Sequence, residues 1–264
     1  MTNRDKKDSI RGRMADAGEP FSAARRKVGA AAGPVSEAEL QEIRRTGRCN
    51  LANRELTVLP PEIARLTNLQ ELWLGGNQLT VLPPEIGQLT GLEALGLGHN
   101  QLAVLPPEIG QLTSLGRLGL VGNQLTALPP EIARLTSLRK LGLVGNHLTA
   151  LPPEIGQLTN LRVLELDDNL LTVLPPEIGQ LTNLRRLELG GNQLTALPAE
   201  IGQLTNLHRL ELSGNQLSAL PREVADLLSG VWELGLAGNP LPEPIFELYG
   251  QGPHPLASYL HSHG

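Results

Sequence analysis

The side chains able to do chemistry are few, and they do not converge. His254, His261 and His263 sit close together near the end of the chain and offer imidazoles to a transition metal. Without an organised fourth ligand they read as adventitious binders, and no metal site is expected. Cys49 is the single cysteine. It stands where a strand leucine is due, so buried filler is the better reading than a reactive thiol. No GxxxxGK[ST] phosphate loop, HExxH, CxxC or GxSxG motif occurs. Serine and histidine are not grouped as nucleophile and base. Glycine-rich turns such as Leu74-Gly75-Gly76-Asn77 recur periodically, which makes them turn positions and not phosphate cradles. The expectation is a non-enzyme without cofactor.

What remains is recognition, and its residues are spaced by a repeat. Residues 69–91, LQELWLGGNQLTVLPPEIGQLTG, recur almost letter for letter at 92–114, 115–137, 138–160, 161–183 and 184–206, a strict period of 23. The copy at 207–230 holds 24 residues through one insertion near 227–230. A half copy follows at 231–241 and a worn copy precedes at 46–68. Such a period is the mark of a solenoid. In each unit the LxL segment is a short strand, with Leu72 and Leu74 inward and Trp73 outward. Nine such strands, counting the terminal copies, would lie parallel and about 4.8 Å apart. Asn77 falls at the turn, where its side chain can bond the backbone of its own and the adjacent turn. Asn100, Asn123, Asn146, Asn169, Asn192, Asn215 and Asn239 repeat it as a ladder. In LPPEIGQLT, Pro84 and Glu85 suit the start of a short helical turn, where a carboxylate meets the positive end of the helix dipole. A like-charged column of these glutamates is alternatively an acidic binding stripe, but the dipole explains each one locally.

The pattern LxxLxLxxNxL, carried by Leu69, Leu72, Leu74, Asn77 and Leu79, resembles the leucine-rich repeat. The tail LPPEIGQLTN resembles the intracellular Ras-group branch and the repeats of bacterial Roco-type proteins, over roughly residues 37–262. The resemblance implies an α/β solenoid, a horseshoe with a concave parallel sheet, convex 3₁₀ or short-helix turns and helical caps at both ends. Ser36 and Glu39 fit a capping box opening a helix over Glu37–Thr46. The stretch from Asn239-Pro240-Leu241 resembles the family's C-terminal cap, with Ile245, Phe246, Leu248, Leu256 and Leu260 covering the open core; Pro253 and Pro255 depart from that pattern. The expected organisation is a disordered basic tail at 1–35, a capping helix at 36–46, the solenoid at 47–241 and a cap at 242–264. The resemblance also implies a protein-interaction module in intracellular signalling. A second reading is the recognition partner of a GTPase or other enzyme, since the chain ends at Gly264 where a Roco-type GTPase domain would begin. A third is a secreted bacterial effector, though those repeats tend to be shorter.

Composition agrees with the solenoid. Only two each of Phe, Tyr and Trp occur, so the core must be leucine and isoleucine. One cysteine cannot make an internal bridge, the first residues contain no apolar signal core, and no run approaches a membrane span. A cytoplasmic location is expected. Residues 1–32 carry eight Lys or Arg against four Asp or Glu, so +4 of the net −5 lies there and −9 on the rest. An acidic solenoid has no net attraction for nucleic acid. Caps at both ends argue for a monomer.

Function should lie where copies differ, at the outward strand positions. The column before the first strand leucine includes Glu71, Arg117, Lys140, Arg186 and Arg209; the column between the two leucines runs Trp73, Gly96, Gly119, Gly142, Glu165, Glu188, Glu211 and Gly235. His99, Asp167 and Asp168 lie just beyond. The face reads as a lone tryptophan beside a glycine floor, followed by an acidic ladder. Two readings of the charges stand: they neutralise one another, or Glu165, Glu188, Glu211 and Asp167 meet a basic patch on a protein or peptide anchored at Trp73.

Overall fold

The structure, a computed structural model, describes residues 35–251 and 253–263. The tail expected over residues 1–35 therefore lies outside the described residues, apart from Val35. Helix α1 spans Glu37–Thr46. The Ser36 hydroxyl accepts from the Glu39 N–H and the Glu39 carboxylate accepts from the Ser36 N–H, a reciprocal pair that satisfies two orphan donors. Gly47 ends the helix in the left-handed conformation at φ +67°, its N–H donating to Ile43. Leu40 and Ile43 face inward and close the first layer of the core.

Nine three-residue strands follow: β1 (Arg48–Asn50), β2 (Glu71–Trp73), β3 (Ala94–Gly96), β4 (Arg117–Gly119), β5 (Lys140–Gly142), β6 (Val163–Glu165), β7 (Arg186–Glu188), β8 (Arg209–Glu211) and β9 (Glu233–Gly235). They form one parallel sheet in sequence order. Register never slips: Leu72 pairs with Leu95, Leu95 with Leu118, and so on down the array. Each return segment is a short helical turn. It is α2 (Pro61–Ala64) in the first repeat, 3₁₀ from Pro84–Gln88 through Ala199–Gln203, and α3 (Val224–Leu227) in the repeat with the insertion. Glu85 and its equivalents sit in the first turns. The far end is closed by α4 (Glu243–Gln251) and α5 (Pro253–His263). Ile245, Leu256 and Leu260 are buried there, and Phe246, Leu248 and Tyr259 pack against the same core. Tyr249 donates its hydroxyl to the Leu234 carbonyl, so the exposed edge of β9 is capped by α4. The leucine-rich-repeat horseshoe expected from the sequence is the fold found, with helical ends on both sides.

The layers are tied by the asparagine ladder. Asn146 accepts from the Leu125 N–H at 3.0 Å and donates to the carbonyls of Leu120 and Leu143, both at 2.9 Å. One amide thus satisfies three buried backbone groups across two adjacent repeats, and Asn77 through Asn239 do the same. A second asparagine column, in the LTN segment, went unnoticed in the sequence. Asn160, Asn183 and Asn206 each donate to a carbonyl of the preceding repeat on the surface, and Asn68 to the Arg44 carbonyl of α1.

Asn146→Ala removes the middle rung and leaves those three groups unpaired, so a loss of about 3 kcal/mol is expected in urea unfolding. Loss below about 1 kcal/mol would show that water replaces the amide. The Arg54 side chain and the Ser36 cap hold the Glu39 carboxyl down from its ordinary 4.5 to about 2. Its stabilising contribution is complete above the ordinary value and is lost as pH falls toward about 2. Glu39→Gln is expected to lower the melting temperature near neutral pH, by a margin that shrinks steadily on acidification below the ordinary value. A margin constant with pH would remove this role from Glu39.

Candidate functional site

The outward residues of the strands converge on one concave face, but they do not stand free on it. At the N-terminal end Glu71 pairs with Arg48 at 3.2 Å and accepts from the Trp73 indole N–H at 3.4 Å. The Cε3–Cζ3 edge of the Trp73 ring takes the space that a Cβ on Gly96 would fill. The same seating recurs. Glu165 leans over Gly142, its carboxylate 3.1 Å from where a Cβ there would sit, and Glu211 lies over Gly235. The glycine floor is thus mostly occupied: Gly96 and Gly142 are buried under neighbours, whereas Gly119 stays half-open between Val121 and Arg117.

The acidic ladder is largely neutralised from within. Glu165 is 7% exposed and receives Lys140 at 2.9 Å. Glu188 is 5% exposed, with Arg209 at 3.0 Å and Arg186 at 3.8 Å. Arg209 reaches on to Glu233 at 2.5 Å. Glu211 is half-buried and accepts from the Ser213 N–H. Asp167 is 1% exposed and accepts from the Gly190 N–H at 2.9 Å, so it splices one repeat to the next. Of the two readings offered for these charges, mutual neutralisation describes Glu165 and Glu188, whereas Asp167 is buried on a backbone N–H. The sequence did not show this, because pairing depends on which neighbour each side chain leans toward. Arg117 alone among the proposed cations is exposed and free of any ion pair among the described residues.

His99 and Asp168 occupy the left-handed turn position at φ 55° and 54°, which most repeats give to glycine. Each lies over the glycine of the next repeat, His99 over Gly122 and Asp168 over Gly191. They border the face and do not meet its floor.

Sequence reasoning missed Trp232, which is 78% exposed and stacks on His208 with ring centroids 4.4 Å apart. It also missed Arg139, Arg162 and Arg185, all exposed. Reading the column one residue before Glu71 down the repeats would have found these four together with His208. The residues first considered for chemistry do not assemble. His261 contacts Asp226 on α3 at 3.3 Å, and burial pushes the Cys49 thiol up to about 12. Among the described residues no three His, Cys, Asp or Glu side chains are grouped to hold a metal ion, and no helix is long and apolar enough to cross a membrane.

A capped stack of short parallel strands with a variable inner face defines a repeat solenoid built for recognition. The chain belongs to the leucine-rich repeat family, whose repeat model matches residues 50–102, 67–125, 90–148, 136–194 and 182–241. Proteins of this family are generally protein-interaction modules. Among solved structures, a leucine-rich-repeat protein of Leptospira interrogans is 38% identical, with TM-score 0.68 over 80% of this chain and 59% of its own. An internalin (InlF) of Listeria monocytogenes shares the fold at 24% identity, with TM-score 0.70 over 84% of this chain and 61% of its own. The ectodomain of the plant membrane receptor kinase GASSHO1/SCHENGEN3 from Arabidopsis thaliana, solved with Casparian strip integrity factor 2, is 36% identical. Its TM-score is 0.56 over 70% of this chain and 26% of its own. The chain thus spans about three fifths of the length of each bacterial structure. No curated protein matches it.

If the ladder is internally neutralised, Lys140→Ala strands Glu165 and should cost about 1–2 kcal/mol. Arg117→Ala, on the same column, should change stability by less than about 0.5 kcal/mol. Equal effects in thermal unfolding would contradict the pairing.

Proposed function

We propose that the concave face binds a protein or peptide ligand, centred on Trp73 and the half-open strip from Gly119 to Val121, with Arg117 at its rim. The observation that carries this is the pose of Trp73. Its ring sits against Gly96 through the Cε3–Cζ3 edge and its indole N–H donates to Glu71, so the half-buried ring is held on the face from two sides. A pre-ordered aromatic next to a low floor suits an anchor, because little rotamer entropy is lost on contact. The Arabidopsis receptor, solved with its named factor, lends the reading support from a relative above one third identity.

The finer reading keeps the Ras-group and Roco-like repeat type, a cytoplasmic location and a role in intracellular signalling. It is supported by the LPPEIGQLTN tails and the lone, buried Cys49. The partner's basic patch is narrowed to Glu211, since Glu165, Glu188 and Glu233 already hold cations.

In a Trp232→Phe background the fluorescence of Trp73 should shift when a partner isolated by affinity capture is added. Trp73→Ala should weaken that partner's binding about tenfold or more, as expected for an interface anchor. Unchanged affinity of the Trp73→Ala protein would sink the assignment.

A further inference from the structure

A second surface lies on the edge of the sheet where the chain enters each strand. The first four residues of this column, Gly47, Gln70, Glu93 and Gly116, carry no cation; the next five are Arg139, Arg162, Arg185, His208 and Trp232. They are successive rungs. The Arg139 carbonyl accepts from the Arg162 N–H, that of Arg162 from the Arg185 N–H, and that of Arg185 from the His208 N–H, each at 2.8 Å. The His208 carbonyl accepts from the Trp232 N–H at 3.1 Å. The side chains are therefore stacked about 4.8 Å apart, in a line of roughly 19 Å.

The fold gains nothing from this line. Three like charges on adjacent rungs repel one another. All three are exposed, and none makes an ion pair or a side-chain hydrogen bond among the described residues. Elsewhere the same column holds Gln70 or Gly116 without loss of register. On the concave face, by contrast, Lys140, Arg186 and Arg209 are drawn down onto carboxylates. The result is a row of uncompensated guanidinium groups on a body whose charge outside residues 1–32 is −9. At its end stands an indole, stacked on His208 and left in water.

We propose that this edge binds an acidic segment of a partner protein in extended form, carboxylates against Arg139, Arg162 and Arg185 and an apolar residue on Trp232. Guanidinium forks pair with carboxylates bidentately, and the stacked indole supplies an apolar platform. Two to three layers separate Arg185 and Arg162 from Trp232, roughly 10–14 Å, which an extended chain covers in about three or four residues. The expected motif is a run of Asp or Glu with an apolar residue about three or four positions away. A nucleic acid fits less well, because the rest of the molecule repels a long polyanion.

The probe is a fluorescein-labelled peptide of about ten residues, with three adjacent glutamates and a leucine about four positions on. It is measured by anisotropy against the whole chain at two salt concentrations. Saturable binding that weakens with salt is expected. The Arg139→Gln, Arg162→Gln, Arg185→Gln triple variant should lose about tenfold or more and most of the salt dependence. Trp232→Ala should lose about threefold or more, and Trp73→Ala nothing, which separates this edge from the concave face. The single variant Arg162→Glu, touching one layer only, should also lose about tenfold and guards against a folding artefact. No saturable binding of the glutamate peptide, full affinity in the triple or the single variant, or equal affinity for oligothymidine of similar length would overturn the proposal.

Discussion

The constraint on which everything else depends is the fixed spacing of the layers. Strands of three residues cannot hold a sheet by their own ladder, since each contributes few hydrogen bonds and none is long enough to resist slipping. The ladder asparagines remove that weakness. Each takes the backbone groups that a tight turn would leave orphaned in the core and satisfies them across neighbouring repeats. Register follows, because an amide that bonds three backbone groups across two adjacent repeats fits only one alignment. Leucine columns then close beneath the sheet, and the scarcity of aromatic residues becomes intelligible. A core that repeats every layer needs one side chain of one volume in each slot, and a bulky ring would have to recur nine times.

The same spacing governs the outer face. Two large side chains on adjacent parallel rungs compete for one gap, and glycine relieves the competition. Trp73 rests on Gly96, Glu165 on Gly142 and Glu211 on Gly235; at the turns Asn53 rests on Gly76, His99 on Gly122 and Asp168 on Gly191. The convex side obeys a related rule. A Cβ on Gly179 would come within 2.5 Å of the Glu200 carbonyl. Glycines that look in sequence like an open floor are, in three dimensions, mostly the seats of their neighbours.

This explains what was legible in the sequence and what was not. Period, strand placement, inward leucines, asparagine ladder and helical ends are properties of single repeats, and each repeat announces them through residue type and spacing. Glu165 and Glu188 were legible as an acidic column but not as buried, paired groups. Their burial is set by whether each leans toward Lys140, Arg186 or Arg209, a choice made between repeats. Trp73 was found because it interrupts a column that was read, and Trp232 was missed because its column was not. The second asparagine column was invisible for another reason: Gly91, Ser114 and Ser137 replace it in three repeats, so it looked like ordinary turn variation.

Neutralisation on the concave face changes what its charge can mean for binding. A buried carboxylate with a cation 3 Å away projects little field, so Glu165 and Glu188 add shape and rigidity rather than attraction. Long-range steering must come from groups left unpaired, and the exposed arginines of the strand-entry edge are such groups on an otherwise acidic body. The array therefore separates two tasks that a single patch would combine. The inner face offers a fixed, nearly neutral contour on which Trp73 is held in one pose. The edge offers charge without a fixed pose, on side chains long enough to adapt to irregular carboxylate spacing. Because each task occupies its own column of the repeat, either can change by substitution in a few layers while the leucines and asparagines that hold the stack stay as they are.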